Sequence, residues 1–293
     1  MGTMHTPVLL QEAIDALQIK TGEWYIDATF GRGGHTEQML KRGGKVIAFD
    51  VDQEAIDYGQ KQFANEIENK NLILIRENFE KLESEVRKVT SEEMSGVLMD
   101  FGVSSPQLDK NTRGFSFQSD AQLDMRMDDR LGVKAKDLLM LIDERQLANA
   151  FFEYGGEEQS KRVARAIVET RKRQNIETVH DLVAIIEKVK GRQREHLHPA
   201  TKVFQALRIL VNDELGSIER ALPQAFILLK TGGRLVTISF HEGEDRIVKN
   251  LFKGWEQEEK GQVIGKKPIH PTENEIQQNV RSRSAKLRIF EKK

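Results

Sequence analysis

The sequence predicts an α/β fold, a mostly parallel seven-stranded sheet interrupted by a helical insertion. Three observations predict it. Short apolar runs alternate with helical stretches through the first hundred residues, the alternation stops after Asp100, and it resumes beyond residue 208. Such βαβ alternation implies parallel strands covered by helices on both faces. The first four strands are WYIDA (24–28), KVIAFD (45–50), NLILIR (71–76) and GVLMD (96–100). Residues 108–208 read as loop and helices, with a capping-box start at Thr178 and Asp181 in ETVHDLVAIIEKVK. The sheet then returns through a helix at 214–229, a Gly232-Gly233 break, the strand RLVTISF (234–240) and the helix EDRIVKNLF (244–252). Candidate strands at 262–267 and 285–291 complete the seven. The domain boundaries follow: 1–107 and 209–293 build the sheet, and 108–208 forms the insertion, a candidate substrate-recognition domain.

The chain has 293 residues, of which 38% are hydrophobic, enough for a globular core. It contains no cysteine, which excludes disulfide scaffolds, thiolate metal sites, iron–sulfur clusters and thiolate nucleophiles. No run approaches the ~18 apolar residues of a membrane span, and the N-terminus has no basic-then-apolar pattern, so the expected location is the cytoplasm. The formal net charge is −1, so any nucleic-acid contact must be local. Two stretches qualify: 158–208 holds twelve Lys/Arg against six Asp/Glu, and 281–293 holds six against one. A solvated helix face would give the same count.

The segment DATFGRGGHT (27–36) places an acid at the end of the first strand and a Gly-rich turn into a helix. Small residues there allow close approach of a ligand to backbone, at the strand end where open α/β sheets bind ligands. Asp50 ends the second strand 23 residues after Asp27, where a carboxylate can accept hydrogen bonds from ribose hydroxyls. A Gly turn beside a strand-end Asp with no ligand would leave the same letters. Walker A is absent, the loop is not G-x-G-x-x-G, and neither Tyr58 nor Tyr154 is followed four residues on by Lys. Asp27 favours a cationic ligand such as the ammonium of a methionyl group, which points to S-adenosylmethionine.

Asp100 ends the fourth strand in DFGVSSPQLD. An aromatic amine attacks poorly because its lone pair is delocalised into the ring. An acceptor gripping the N–H frees that pair for in-line attack on a methyl. Methylation at ring carbon 5 normally needs a Cys, which the chain lacks, so nitrogen or oxygen is the expected acceptor. A helix cap or a cofactor contact are the other roles open to Asp100. In the insertion, Arg113-Gly114-Phe115-Ser116-Phe117 could stack on an unpaired base or fill a core. Arg162, Arg165 and Arg173 share a helix face that could follow phosphates, and Arg208 and Asn212 share another. His196 and His198 form an isolated H-x-H, and no metal site is expected. His241 and Glu242 follow a strand and could enter a cleft or stand in an exposed turn.

Nine segments in order carry a family resemblance: HTPVLLQEA, YIDATFGRGGHT, DFGVSSPQLD, RGFSF, LDMRMD, HPATKVFQALRILVNDEL, GGRLVTISFH, EDRIVK and RSRSAKLR. Across almost its whole length the chain resembles the bacterial MraW family, the ribosomal RNA small-subunit methyltransferases H. The resemblance implies a class I, Rossmann-like S-adenosylmethionine-dependent methyltransferase sheet. It also implies N4-methylation of a cytidine in the decoding region of 16S rRNA, within the small ribosomal subunit. By motif it carries cofactor contacts onto Gly33, Gly34, His35, Asp50, Phe79, Asp100 and Gln107, with Asp100 also the catalytic residue. The chain departs from the family pattern at Glu242-Gly243 and Asn279-Val280, away from the methyl-transfer residues. A nicotinamide oxidoreductase on the same sheet, and a nonenzymatic RNA-binding assembly protein, are the alternatives.

Overall fold

The computed structural model describes residues 7–103, 113–117, 119–191 and 198–293. The chain divides into two compact units, Met1–Gly102 with Leu215–Lys293 and Val103–Glu214.

The first unit is built on a seven-stranded sheet: β1 (Trp24–Asp27), β2 (Lys45–Asp50), β3 (Leu72–Arg76), β4 (Met94–Asp100), β5 (Leu229–Ser239), β6 (Gly261–Ile269) and β7 (Lys286–Lys292). Their order is β3-β2-β1-β4-β5-β7-β6. The first five strands pair in parallel, and β7 runs antiparallel to both β5 and β6. This is the mostly parallel, seven-stranded α/β sheet that the sequence predicts. The central strands are apolar on both faces because helices cover both. On one face lie α1 (Leu10–Leu17), α2 (Gly34–Lys41) and α3 (Gln53–Gln62), packing Leu17, Met39 and Ala55 toward Tyr25, Leu98 and Ile238. The short α4 (Ala64–Glu68) follows α3. On the other face, α5 (Leu82–Val89) joins two helices from the C-terminal half, and Val86, Leu222 and Phe252 pack with Val97 and Met99.

The fifth strand begins earlier than its apolar run. Leu229 pairs with Met94, but Arg234 pairs with Gly96, so the residues between them bulge from the ladder. Gly232 takes φ +76° there, and a Cβ at Gly233 would stand 2.9 Å from the Lys230 carbonyl oxygen. The glycine pair therefore turns the chain within a strand, where the sequence reading puts a break before it.

In the second unit, α6 (Ala135–Leu141), α7 (Glu144–Glu153), α8 (Ser160–Arg171), α9 (Val179–Lys190) and α10 (Thr201–Asn212) surround a separate core centred on Leu139, Phe151, Ile167, Leu182 and Val203. The Thr178–Asp181 capping box stands: Thr178 Oγ1 accepts from the Asp181 amide, and Asp181 accepts from the Thr178 amide. After it, α11 (Glu214–Leu228) leads back to the sheet, followed by α12 (Glu242–Gln257) and the short α13 (Glu273–Gln278). Among the described residues, no helix is long and apolar enough to cross a membrane.

Candidate active site

Strand register gathers the acids predicted from the sequence. Asp27 pairs with Ala48 on one side and Leu98 on the other. Side chains alternate with a period of two, so Asp50 and Asp100, two residues further along their strands, fall on the same side of the pleat as Asp27. Three carboxyls thus stand at the C-terminal ends of β2, β1 and β4, the end at which open α/β sheets take ligands.

Asp27 is completely buried. Its Oδ2 accepts from Thr36 Oγ1 at 2.7 Å and its Oδ1 from the Thr29 amide at 3.1 Å. Burial raises its pKa against those hydrogen bonds. The sequence offers this carboxyl to a ligand ammonium. In the structure it is sealed inside the protein and anchors the loop and the start of α2. Asp-x-Thr is an Asx-turn pattern, so this role was legible in the sequence as Asp27-Ala28-Thr29.

The loop after β1 is held from the neighbouring strand. The Gly31 amide donates to Asp50 Oδ2 and the Asp52 amide to Asp50 Oδ1, both at 2.8 Å. Burial pushes the Asp50 carboxyl up to about 6, opposed by those two amides. A carboxylate has about four acceptor positions, so capacity is left for ribose hydroxyls. Gly33 takes φ +73°, and a Cβ on it would stand 2.7 Å from the Phe63 ring and 2.8 Å from the Phe30 ring. A Cβ on Gly34 would meet Pro7 at 2.2 Å. The protein's own packing already demands both glycines, in addition to any ligand.

His35 sits in the first turn of α2 and is 4% exposed. Burial lowers its pKa to about 4, opposed by a hydrogen bond with the Val8 backbone, so the ring is neutral at physiological pH. Among the described residues its Nε2 is buried without a partner. Nδ1 lies 3.9 Å from Asp100 Oδ2, beyond hydrogen-bond distance. Among the described residues, Asp100 Oδ1 is also buried without a partner, although the side chain keeps 23% exposure. Burial, and after it the negative charges of Asp27 and Glu244, push the Asp100 carboxyl well above the usual carboxylate range. Two unsatisfied polar groups facing a ligand end of a sheet signal a binding site.

Phe79 opens a 3₁₀ turn, Phe79–Lys81, capped by Asn78, whose side chain accepts from the Glu80 amide at 2.9 Å. Its ring is half-buried, 6.3 Å from that of Phe101. Gln107 lies outside the described residues. His241 caps α12: Nδ1 accepts from the Gly243 amide at 3.2 Å, and Nε2 lies 3.2 Å from the buried Glu244 carboxyl. Glu242 is exposed and pairs with Lys286.

In the second unit, Phe115 is a core residue. Phe117 is half-buried, stacked on His198 at 4.3 Å and edge-on to Phe204. His196 lies outside the described residues. Arg162 bonds Gln159 and the Val189 carbonyl, and Arg165 bonds Glu144, yet both stay exposed, as does Arg173. Arg208 makes a two-pronged contact with Glu214, and Asn212 bonds the Met125 carbonyl and the Met127 amide, so this pair is spent on structure.

A family model described as the MraW methylase family matches residues 2–293. The chain belongs to the MraW methylase family. The ribosomal RNA small subunit methyltransferase H of Carboxydothermus hydrogenoformans is 42% identical over 305 aligned residues, covering 98% of this chain and 97% of its own. Among solved structures, a Streptococcus mutans protein in complex with SAH aligns at TM-score 0.49 and 15% identity, over 99% of this chain and 100% of that one. An rRNA methylase from Streptococcus thermophilus aligns at TM-score 0.45 and 13% identity, over 99% of both chains. Membership of the MraW methylase family directs attention to the carboxyl ends of β1, β2 and β4, where the unsatisfied atoms lie.

Proposed function

We propose that this chain transfers a methyl group from S-adenosylmethionine to the exocyclic N4 of a cytidine in the decoding region of 16S rRNA, with Asp100 holding the acceptor amine. One observation carries the reading. In a chain of the MraW methylase family, the carboxyl at the end of β4 keeps a buried oxygen with no partner among the described residues, beside the Gly loop. The residues fit the donor. The orphaned His35 Nε2 and Asp100 Oδ1 match a polar ligand end, and Asp50 retains acceptor capacity for a ribose. Gly33, Gly34, His35, Asp50, Phe79, Asp100 and Gln107 would hold it. When bound, S-adenosylmethionine supplies an electrophilic methyl on a sulfonium: the N–C bond forms as the C–S bond breaks, and the electron pair stays on sulfur.

Asp100 accepts one N–H of the amine, drawing the nitrogen toward tetrahedral geometry and freeing its lone pair. The proton released from nitrogen passes to the same carboxylate, whose raised pKa makes it a better base than an ordinary Asp. His35, neutral and beside it, adds no positive charge to weaken that basicity. Attack through ring carbon 5 lacks its nucleophile, because the sequence has no Cys. The substrate is rRNA within the small subunit, and the protein works in the cytoplasm. Mass spectrometry of nucleosides from 16S rRNA, with and without the protein, tests the reading. N4-methylated cytidine should appear only with it, and an unchanged nucleoside profile contradicts the proposal.

A further inference from the structure

The ladder between β1 and β4 runs out just before Asp100. Its last backbone hydrogen bond on this side joins the Ala28 amide to the Leu98 carbonyl at 2.9 Å. On the other side of β4, the Phe101 amide still donates to the Ile238 carbonyl at 2.9 Å. Amides of a parallel strand point alternately to either neighbour, so the Asp100 amide faces β1. By then β1 has left the sheet to form the Gly loop and offers no carbonyl. The hydroxyl of Thr29 takes that place: Asp100 N donates to Thr29 Oγ1 at 2.8 Å. Thr29 is itself fixed, its amide donating to Asp27 Oδ1 while Asp27 Oδ2 accepts from Thr36. Its β-branch restricts χ1, which aims the hydroxyl.

We propose that Thr29 is a positioning residue for methyl transfer: its hydroxyl substitutes for the missing strand carbonyl and fixes where the Asp100 carboxyl meets the acceptor amine. This rests on reading Asp100 as the group that holds the amine. An in-line displacement depends steeply on alignment, and a side chain carried on an untethered strand end loses it.

The test compares Thr29→Val, which keeps the branched shape and removes the acceptor, with Thr29→Ser, which restores it. Thr29→Val should lower kcat by about tenfold to a hundredfold, a size expected of a small misplacement. Thr29→Ser should recover kcat to within about threefold of the unmodified protein. Amide exchange should show the Asp100 N–H protected in the wild type and in Thr29→Ser, and exposed in Thr29→Val. If Thr29→Val does not fold, Thr29→Ala takes its place against the same Ser variant. A purely structural Thr29 would lower melting temperature and leave kcat per folded molecule unchanged, which overturns the inference. So does a Thr29→Ser as slow as Thr29→Val, or unaltered exchange at Asp100. A wild-type protein that methylates no small-subunit rRNA overturns the functional reading as well, whereas an active wild type matched by Thr29→Val overturns the inference alone.

Discussion

Nδ1 of His35 stands 3.9 Å from Oδ2 of Asp100, a neutral ring beside a carboxyl whose charge it does not offset. The groups that do bear on Asp100, Asp27 and Glu244, are acids, and they add to the effect of burial. Asp100 therefore becomes an effective acceptor only as pH rises through its raised pKa. kcat/KM for methyl transfer should climb with pH to a plateau, with an apparent pKa above the usual value of about 4 for Asp. A bound sulfonium adds positive charge, so the pKa seen in kcat should fall below that seen in kcat/KM. A pH–rate profile flat from about pH 4 to 8 would contradict both.

Asp100→Asn should stabilise the fold. The folded-state pKa of Asp100 lies above its unfolded value, so its favourable contribution is whole below the unfolded pKa and is lost as pH rises through the folded one. Near pH 7 the wild type carries that cost and the amide does not. Calorimetry should find a melting temperature higher by a few degrees, at roughly 2–4 °C per kcal/mol, with the difference shrinking toward about pH 4. A lower melting temperature at neutral pH would refute this reading of the site.

Gly33→Ala should cost about 1–3 kcal/mol and weaken donor binding. The added methyl meets the Phe30 and Phe63 rings at a residue with φ +73°, so strain and overpacking act together. Denaturant unfolding and donor titration check it; unchanged stability would show that the two rings give way freely.

Within the second unit, Lys190 and Glu157 form a buried ion pair at 2.5 Å, with side chains 8% and 3% exposed, and Lys190 also donates to the Pro199 carbonyl. Lys190→Ala leaves a buried carboxylate unpaired and should cost about 3–5 kcal/mol. Chemical denaturation reads it out, and a loss under about 1 kcal/mol would contradict it.

The periodicity of the sequence exposed most of the fold. Parallel strands buried on both faces read as continuous apolar runs, which is why β1, β2 and β4 were visible as WYIDA, KVIAFD and GVLMD, while the half-buried edge strand β3 showed as NLILIR. The start of β5 was not, because Gly232 and Gly233 read as a break whether they end a strand or bulge it. Asp50 and Asp100 were legible as acids at strand ends, since residue type and position both showed. Thr29 was not, because its role exists only where β1 leaves the sheet while β4 continues, and that offset is a property of register. Arg208 and Asn212 show the opposite limit. Four residues apart, they share a helix face as spacing requires, yet their partners, Glu214 and the Met125 and Met127 backbone, are set by tertiary packing.

The rate of a single round of methyl transfer in Asp100→Asn, at saturating S-adenosylmethionine and with small subunits as acceptor, tests the account most directly. Donor binding should survive, because the amide keeps the shape of the side chain. The transfer rate should fall by about a hundredfold or more, the usual scale of a lost acid–base group. A transfer rate equal to that of the wild type would remove Asp100 from the chemistry and the account with it.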